Sequence, residues 1–381
     1  HSFPTRRSSD LLYWCHGRKG HKVIGKEGTV VHEGLASGVW SCLPDGGDVQ
    51  WHSLGCGDNP VRVDFTPNGD IIGVQNLYYG RPRGDTLVHW LYGGVYERDD
   101  QLKAIQGLPR TTERMPVLHN FGHVAVSGCA FSHNASFFPG NALQLFVTHF
   151  NTQRLVRMEI TPEGSSYHAV ENEFLKLLSP DIHLTDVIED HDGSLLLLNT
   201  GGWFRNGCPS SLMAKPDVLG SVYRIRRTNS KSSQNASASS ISQTPDAPLE
   251  AIRSKDPHLK RHACEEIARR RTGTQETKKA LLQLLGENMD AALEHAAIFA
   301  AIKTNAVNVT DLHPLENLSL LRRMLICADQ GSESTPTNHT ELSRFALNYI
   351  ASDDAALARV ALNIAAHDPA QADPLLSDVV L

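Results

Sequence analysis

Residues 183–227 read HLTDVIEDHDGSLLLLNTGGWFRNGCPSSLMAKPDVLGSVYRIRR, and this stretch decides the fold. It holds three apolar runs, 186–189, 194–200 and 221–226, dominated by Val, Ile, Leu and Tyr, the residue types that fit a pleated, half-buried strand. Asp190-His191-Asp192-Gly193 separates the first two, and Asp-Gly marks a tight hairpin. A long polar excursion with Gly201, Gly202, Trp203, Cys208 and Pro209 separates the second from the third. Short strands joined by one tight turn and one long loop form a sheet that must pack on similar sheets.

The unit recurs. Residues 59–76 (NPVRVDFTPNGDIIGVQN) run from a polar lead-in through a strand and a Pro-Asn-Gly turn to a second strand, with a third apolar run at 87–96 (LVHWLYGGVY). Residues 123–160 repeat the plan as SGCAFSH, a turn through Pro139-Gly140-Asn141, LQLFVTHF and RLVRMEI. The lead-ins near Asn59, His123 and His183 are about 60 residues apart. A sheet-sized unit at this interval predicts a β-propeller with long loops, an ordinary β-sandwich being the alternative. Upstream, 38–43 and 48–54 flank a Pro44-Asp45-Gly46-Gly47 turn as the tail of another blade. Residues 59–118 form a second blade, 120–180 a third, and 183–227 three strands of a fourth. Residues 12–228 are thus expected to be a partial propeller, an arc whose last blade lacks an outer strand.

The period then changes. Residues 229–246 are rich in Ser, Asn and Gln and read as a flexible linker. From 247 to 381 the apolar spacing is helical, with helices expected at 257–271 (N-cap Asp256), 276–285, 290–303, 315–328, 341–352 and 354–367. Paired helices with Ala-rich contact faces predict HEAT-like repeats, a plain bundle being the alternative. The fold class is therefore multi-domain β plus α.

With 381 residues, 40% hydrophobic and 20% charged, the chain is globular in composition. A net charge of −6 leaves no basic footprint for nucleic acid, and no apolar run of membrane-spanning length occurs. Residues 1–11 (HSFPTRRSSDL) read as a sequencing adapter translated in frame and are set aside as an artefact. The true termini are then expected to lie outside the chain, and a signal peptide is not observable. Seven cysteines include no Cys-x-x-Cys, so zinc-ribbon, thioredoxin and c-haem attachment motifs are all missing from this stretch.

In a propeller, the loop leading into each innermost strand lies at the channel mouth, where polar residues far apart in sequence converge. Twelve of the nineteen histidines fall between residues 12 and 228. His123 (GHVAVSG) is the first candidate for a base that takes a proton from an alcohol; a loop-bonded histidine is the alternative. Ser127-Gly128 offers backbone for close approach of a ligand, or simply a tight strand start. His183 and Asp186 (HLTD) form a candidate ring–carboxylate pair, against an Asx or ST turn. His149, Asn151 and Arg154 (HFNTQR) are candidates to hold a cofactor, Arg154 through its planar fork, against a solvated hairpin. Trp203 is a candidate to stack on a sugar or cofactor ring, or else packs within its loop. Asp190, Asp192 and Gly193 resemble part of a Ca²⁺ loop, without the following Glu, and read as a turn.

NPVRVDFTPNG, GDTLVHWLYGGVY, GHVAVSG, THFNTQRLVRM, TDVIEDHDGSLLLLNTGGW and AKPDVLGSVYRIRR resemble, over residues 25–228 and in order, the membrane-bound dehydrogenases found with PVC-type haem c domains. The helical part resembles the HEAT-like segment that follows in that family. The resemblance implies a six-bladed propeller similar to quinoprotein glucose and sorbosone dehydrogenases, holding pyrroloquinoline quinone (PQQ) with Ca²⁺ nearby and using a histidine base. It also implies a periplasmic or secreted location, a c-type cytochrome as electron acceptor and a protein partner for the HEAT-like repeats. The expected function is oxidation of a sugar or alcohol, with His123, His183 and Asp186 catalytic and His149, Asn151, Arg154 and Trp203 on the cofactor; the metal ligands are not assigned. The alternative is a non-catalytic scaffold that binds protein or carbohydrate, since fold does not fix function.

Overall fold

The computed structural model describes residues 11–78, 82–96, 99–112, 115–133, 138, 142–202, 217–228, 248–271, 273–331 and 336–366. Trp203, the 139–141 turn and the 229–246 linker lie outside them. The chain divides into two compact units, His1–Leu108 with Arg114–Gln243, and Pro109–Glu113 with Thr244–Leu381.

The first unit is made of strands: β1 (Leu12–His16), β2 (His21–Ile24), β3 (Val30–Gly34), β4 (Ser37–Cys42), β5 (Gln50–Cys56), β6 (Asn59–Phe65), β7 (Ile71–Tyr78), β8 (Gly84–His89), β9 (Gly94–Val95), β10 (His119–Gly122), β11 (Val126–Ser132), β12 (Leu143–His149), β13 (Arg154–Glu163), β14 (Ser166–Lys176), β15 (Leu184–Glu189), β16 (Leu195–Asn199) and β17 (Ser221–Ile225). They form four principal sheets, ordered β1-β4-β5-β9, β6-β7-β8-β10, β11-β12-β13-β14 and β15-β16-β17, beside a separate β2–β3 hairpin. The first strands pack in series, β1 on β6, β6 on β11 and β11 on β15.

The repeat is visible in the register. β6 slips against β7 between Pro60 and Arg62, β11 against β12 between Val126 and Gly128, and β15 against β16 between Leu184 and Asp186. Each first strand thus carries a bulge near its start, at Val61, Ser127 and Thr185, and a bulge re-aims the side chain that follows it. Arg62, Gly128 and Asp186 are equivalent positions in three successive sheets. The sheets lie face to face over apolar layers: Ile72, Val74 and Leu87 meet Cys129, Leu145, Val156 and Met158, and Phe146 and Leu155 meet Leu184, Val187, Leu195 and Leu197. Each such side chain, fully buried, contributes roughly 1.5–3 kcal/mol.

Two expectations change. The apolar run 87–96 is not one strand. β8 ends at His89, Gly93 turns the chain at φ +79°, and β9 leaves to pair in parallel with β5 of the first sheet, Ser53 opposite Gly94. A Cβ on Gly94 would stand 2.9 Å from the Tyr96 ring and 3.0 Å from Leu91 O, so the turn needs glycine there. The second sheet gains its fourth strand from β10, so residues 120–122, expected in the third blade, form the outer edge of the second sheet.

The second unit is helical: α1 (Pro248–Ala251), α2 (Pro257–Arg270), α3 (Gln275–Leu285), α4 (Ala291–Thr304), α5 (Leu318–Gln330), α6 (Pro336–Leu347) and α7 (Ala355–Ala365). Asp256, Thr274, Asp290, Asn317 and Asp354 cap α2, α3, α4, α5 and α7, each accepting a first-turn backbone N–H. α6 starts at Pro336, upstream of the expected Glu341, because proline suits the first helical turn. α4 (AALEHAAIFAAIKT) is buried on nearly every side and packs against α2, α3 and α5. Arg323 is buried with its charge met by Glu294 (2.8 and 2.7 Å) and by the carbonyls of Leu285 and Glu287. No helix among the described residues is long and apolar enough to cross a membrane.

Candidate functional site

The bulges bring the three equivalent positions together. Arg62 on β6 and Asp186 on β15 approach to 3.4 Å, although β11 lies between their strands. Gly128 makes this possible: a Cβ there would stand 2.4 Å from Asp186 Oδ1 and 2.7 Å from its Cα. Burial raises the Asp186 carboxyl above the usual range, with Arg62 opposing. The charges of Arg62, Asp64 and Asp186 and the Cys15 thiol all act on Cys129, so β1, β6, β11 and β15 contribute to one neighbourhood. Burial pushes the Cys15 thiol up to about 12 and Cys129 well above its ordinary value, so both stay protonated and are poor nucleophiles. Asp64 is structural, accepting from Phe65 N (2.8 Å) and Phe131 N (2.7 Å).

A second cluster sits at the β12–β13 turn. His149 and Arg154 are cross-strand partners, and Val126 pairs with His149 on the other side. His149 is 2% exposed, and neither ring nitrogen has a hydrogen-bond partner among the described residues. Its ring meets Phe121 edge-on at 5.1 Å, and Phe121 meets His119 at 4.8 Å. His119 Nε2 lies 2.9 Å from Glu171 Oε2, a contact that holds the Glu171 carboxyl below its usual range. Burial pushes His149 down to about 4, the charges of Arg154 and His119 adding and Glu171 opposing, so the ring is neutral at neutral pH. Leaving a buried polar group unbonded costs about 1–3 kcal/mol, and here two nitrogens of one ring are orphaned. Arg154 Nε stands 3.4 Å from Glu173 Oε2, with the side chain about 39% exposed. Buried Thr152 Oγ1 also lacks a partner among the described residues. The Asn151 amide N–H donates to Val124 O (3.1 Å), which fixes the turn.

His183 lies beside this turn. Its ring stacks on Phe150 at 4.4 Å between centroids. Nδ1 is 2.8 Å from Gly201 O; a carbonyl only accepts, so Nδ1 carries the proton and Nε2 keeps the lone pair. His183 N donates to Asn199 Oδ1 (3.0 Å), which also accepts from Gly201 N (2.9 Å). The expected His183–Asp186 pair is not made: Gly201 takes the ring, and the bulge at Thr185 turns Asp186 toward Arg62 and Gly128. His123 is exposed on the β10–β11 turn and has no hydrogen bond among the described residues. Ser127 Oγ donates to Leu184 O (2.7 Å), tying the third sheet to the fourth. Asp190 and Asp192 stand in the hairpin turn, Gly193 N donating to Asp190 O (2.9 Å), and Arg224 reaches both carboxylates. Among the described residues no three His, Cys, Asp or Glu gather where an ion would sit.

Two residues escaped the sequence reading. Arg62 stands in the apolar alternation of NPVRVDF, where a charge at period two was the available signal. Asp85, buried, accepts from Leu77 N (2.8 Å), Val124 N (3.1 Å) and Ala125 N (2.6 Å). Leu77 and Ala125 both sit at positive φ, 49° and 52°, where non-glycine residues are costly. Asp85 therefore clamps the strained lead-in to β11. Nothing in its local sequence marks that role, because its donors lie 8 and about 40 residues away.

No family model and no curated protein matches the chain. Among solved structures it aligns with an oxidoreductase (glucose dehydrogenase) of Thermus thermophilus at 17% identity, over 50% of this chain and 55% of that one, with a TM-score of 0.36. It aligns with the PQQ-bound form of an aldose sugar dehydrogenase from Streptomyces coelicolor at 16% identity, over 49% and 52%, with a TM-score of 0.34. A further glucose dehydrogenase aligns at 15% identity, over 57% and 78%, with a TM-score of 0.36. The chain spans about half the length of the Thermus and Streptomyces proteins.

Proposed function

We propose that the chain is part of a propeller-type sugar or alcohol dehydrogenase of the quinoprotein kind, its strand unit an arc of blades and its helical unit a HEAT-like array. The observation that carries the reading is His149: a neutral, buried imidazole with both nitrogens unbonded, beside a half-exposed arginine. A small quinone bearing several carboxylates fits this donor set. Arg154 would hold a carboxylate, His149 would hydrogen-bond a carbonyl or carboxylate oxygen, and Asn151 would shape the turn between them. Such a cofactor supplies a two-electron acceptor.

The chain's own residues supply the proton chemistry. His183 is held in one tautomer by Gly201 and in one orientation by Phe150 and Asn199, leaving Nε2 as the acceptor a base needs. This makes it a better candidate than exposed, unsupported His123 to take the hydroxyl proton of a sugar or alcohol. Asp186, facing Arg62, is a charge near the shared axis rather than the orienter of His183. A role for Trp203, a Ca²⁺ ion, a c-type cytochrome acceptor, a partner on the helices and a periplasmic or secreted location all rest on the sequence resemblance alone.

The test is titration of the chain with PQQ, with and without Ca²⁺, followed by absorbance, then dye reduction with aldoses. Binding at micromolar cofactor that Arg154→Met and His149→Phe weaken at least tenfold, together with dye reduction that His183→Gln abolishes, is expected. No binding at that concentration ends the quinone reading. It would favour the scaffold, for which the use of Asp85, Ser127 and Asn199 as backbone ties already speaks.

A further inference from the structure

Three imidazoles stand in a row at the corner of the first sheet. Trp40 Nε1, on β4, lies 3.0 Å from His16 Nδ1 at the end of β1. The indole N–H only donates, so His16 Nδ1 is the acceptor and the neutral ring carries its proton on Nε2. That nitrogen faces Ala36 O at 2.9 Å and His21 Nδ1 at 3.0 Å. His21, the first residue of β2, must then carry its proton on Nε2, which lies 2.7 Å from His32 Nδ1 on β3. The row has one direction, Trp40 to His16 to His21 to His32, and every internal lone pair is taken.

The row joins two separately hydrogen-bonded pieces. Trp40 and His16 belong to the first sheet; His21 and His32 belong to the β2–β3 hairpin, which pairs only with itself. A two-stranded hairpin alone is marginally stable in water. Val23 packs in the Trp40 cluster with Trp14, and Lys26 Nζ meets Asp45 Oδ2 at 2.7 Å in an exposed pair that contributes little. The faces of Ile24, Val30, Val31 and Leu35 are exposed.

We propose that this row is a proton-operated latch: neutral, it clips the β2–β3 hairpin to the first sheet, and uptake of one proton in mild acid releases it. The reason is geometric. No lone pair inside the row is free, so an added proton sets two N–H groups against each other at one link. Reversing the row does not help, because it ends at the Trp40 N–H. Charge compensation is sparse. The Ala36 carbonyl favours protonated His16 and His21, and the carboxylate that favours protonated His21, Glu33 on β3, is exposed and shared with Lys22 of β2 at 3.3 Å. Lys26 and Asp45 satisfy one another. From β1 and β4, His16 and Trp40 face the row.

Burial, with the charges of His16 and His32 adding, brings His21 down from 6.5 to about 4, and His16 and His32 are lowered as well, chiefly by burial. The closed form therefore binds protons more weakly than the open one. The latch holds above about pH 6.5 and weakens as pH falls toward 4, the opening equilibrium rising about thirtyfold between pH 7.5 and 5 by linkage.

Hydrogen–deuterium exchange of the full chain, read as protection factors at the two pH values, tests this. Protection of residues 21–34 should fall about thirtyfold while that of β11–β13 holds. His21→Gln keeps a donor and an acceptor but does not titrate, and should flatten the response; His32→Asn serves if that variant does not fold. Loss of protection in hairpin and third sheet together, no change in either, or a full pH response in both variants overturns the latch.

Discussion

Replacing Asp85 tests the organisation of the strand unit most sharply. Its two carboxylate oxygens serve three backbone N–H groups, one on Leu77 and two on Val124 and Ala125. Asp85→Ala orphans all three, at about 1–3 kcal/mol each when buried. Two terms lower the sum. Val124 and Ala125 are only partly buried and their N–H groups can reach water, and Leu77 and Ala125, no longer clamped, can relax from positive φ and recover about 1 kcal/mol or more of strain. The expected net loss is about 3–5 kcal/mol. Asp85→Asn is nearly isosteric, yet its single oxygen cannot serve both sides, and about 2 kcal/mol should be lost. Urea unfolding followed by tryptophan fluorescence is the assay. All five tryptophans, at 14, 40, 51, 90 and 203, fall in the first unit, so the signal reports that unit alone. With an m-value of about 2.5 kcal/mol/M for a unit this size, the alanine midpoint should drop by about 1.5 M. A midpoint within about 0.2 M of the parent would show that the lead-in to β11 is held by other contacts.

The close approach of Gly128 to Asp186 predicts that Gly128→Ala destabilises the first unit by about 3 kcal/mol, since the new Cβ meets the Asp186 backbone, which cannot yield. Gly69→Ala, with open space around it but φ +89°, should cost only about 1 kcal/mol, and equal losses in the two variants would contradict the close packing of β11 on β15. His149 predicts a pH effect: its folded value, about 4, lies below an unfolded value near 6.5, so its share of stability is complete above 6.5 and is lost as pH falls toward 4. The share is on the order of 2–3 kcal/mol. Urea midpoints at pH 7 and 4.5 should differ less in His149→Phe than in the parent, and an unchanged difference would count against a buried, unbonded ring.

What the sequence revealed was what local chemistry controls. Asp192-Gly193 announced its hairpin because the turn needs positive φ there, and Asp256 announced the start of α2 because its side chain caps the next turn. The spacing of about 60 residues exposed the recurring sheets. What escaped depends on partners far along the chain. LVHWLYGGVY is apolar throughout, and nothing inside it says that its last residues pair with β5. The bulges at Val61, Ser127 and Thr185 exist only relative to the neighbouring strand, so the partner of Asp186 was misjudged as His183 when it is Arg62. His149, Asn151 and Arg154 were legible as a group because they flank one turn; that the imidazole would be buried without a bond was not. The row of His16, His21 and His32 was missed because its members sit on three different strands.

The placement of β9 reaches beyond stability. Its two residues finish the first sheet only after three strands of the second have been made, and β10 finishes the second only at residue 122. The first and second sheets are therefore dovetailed along the chain rather than laid end to end. A ribosome releases the first sheet without its rim, which is restored once roughly 40 further residues emerge. For the same reason, a gene segment cut between β5 and β6 would carry off the last strand of the first sheet, so a lineage that shuffles, duplicates or loses the second repeat would have to move that joint and not the sheets.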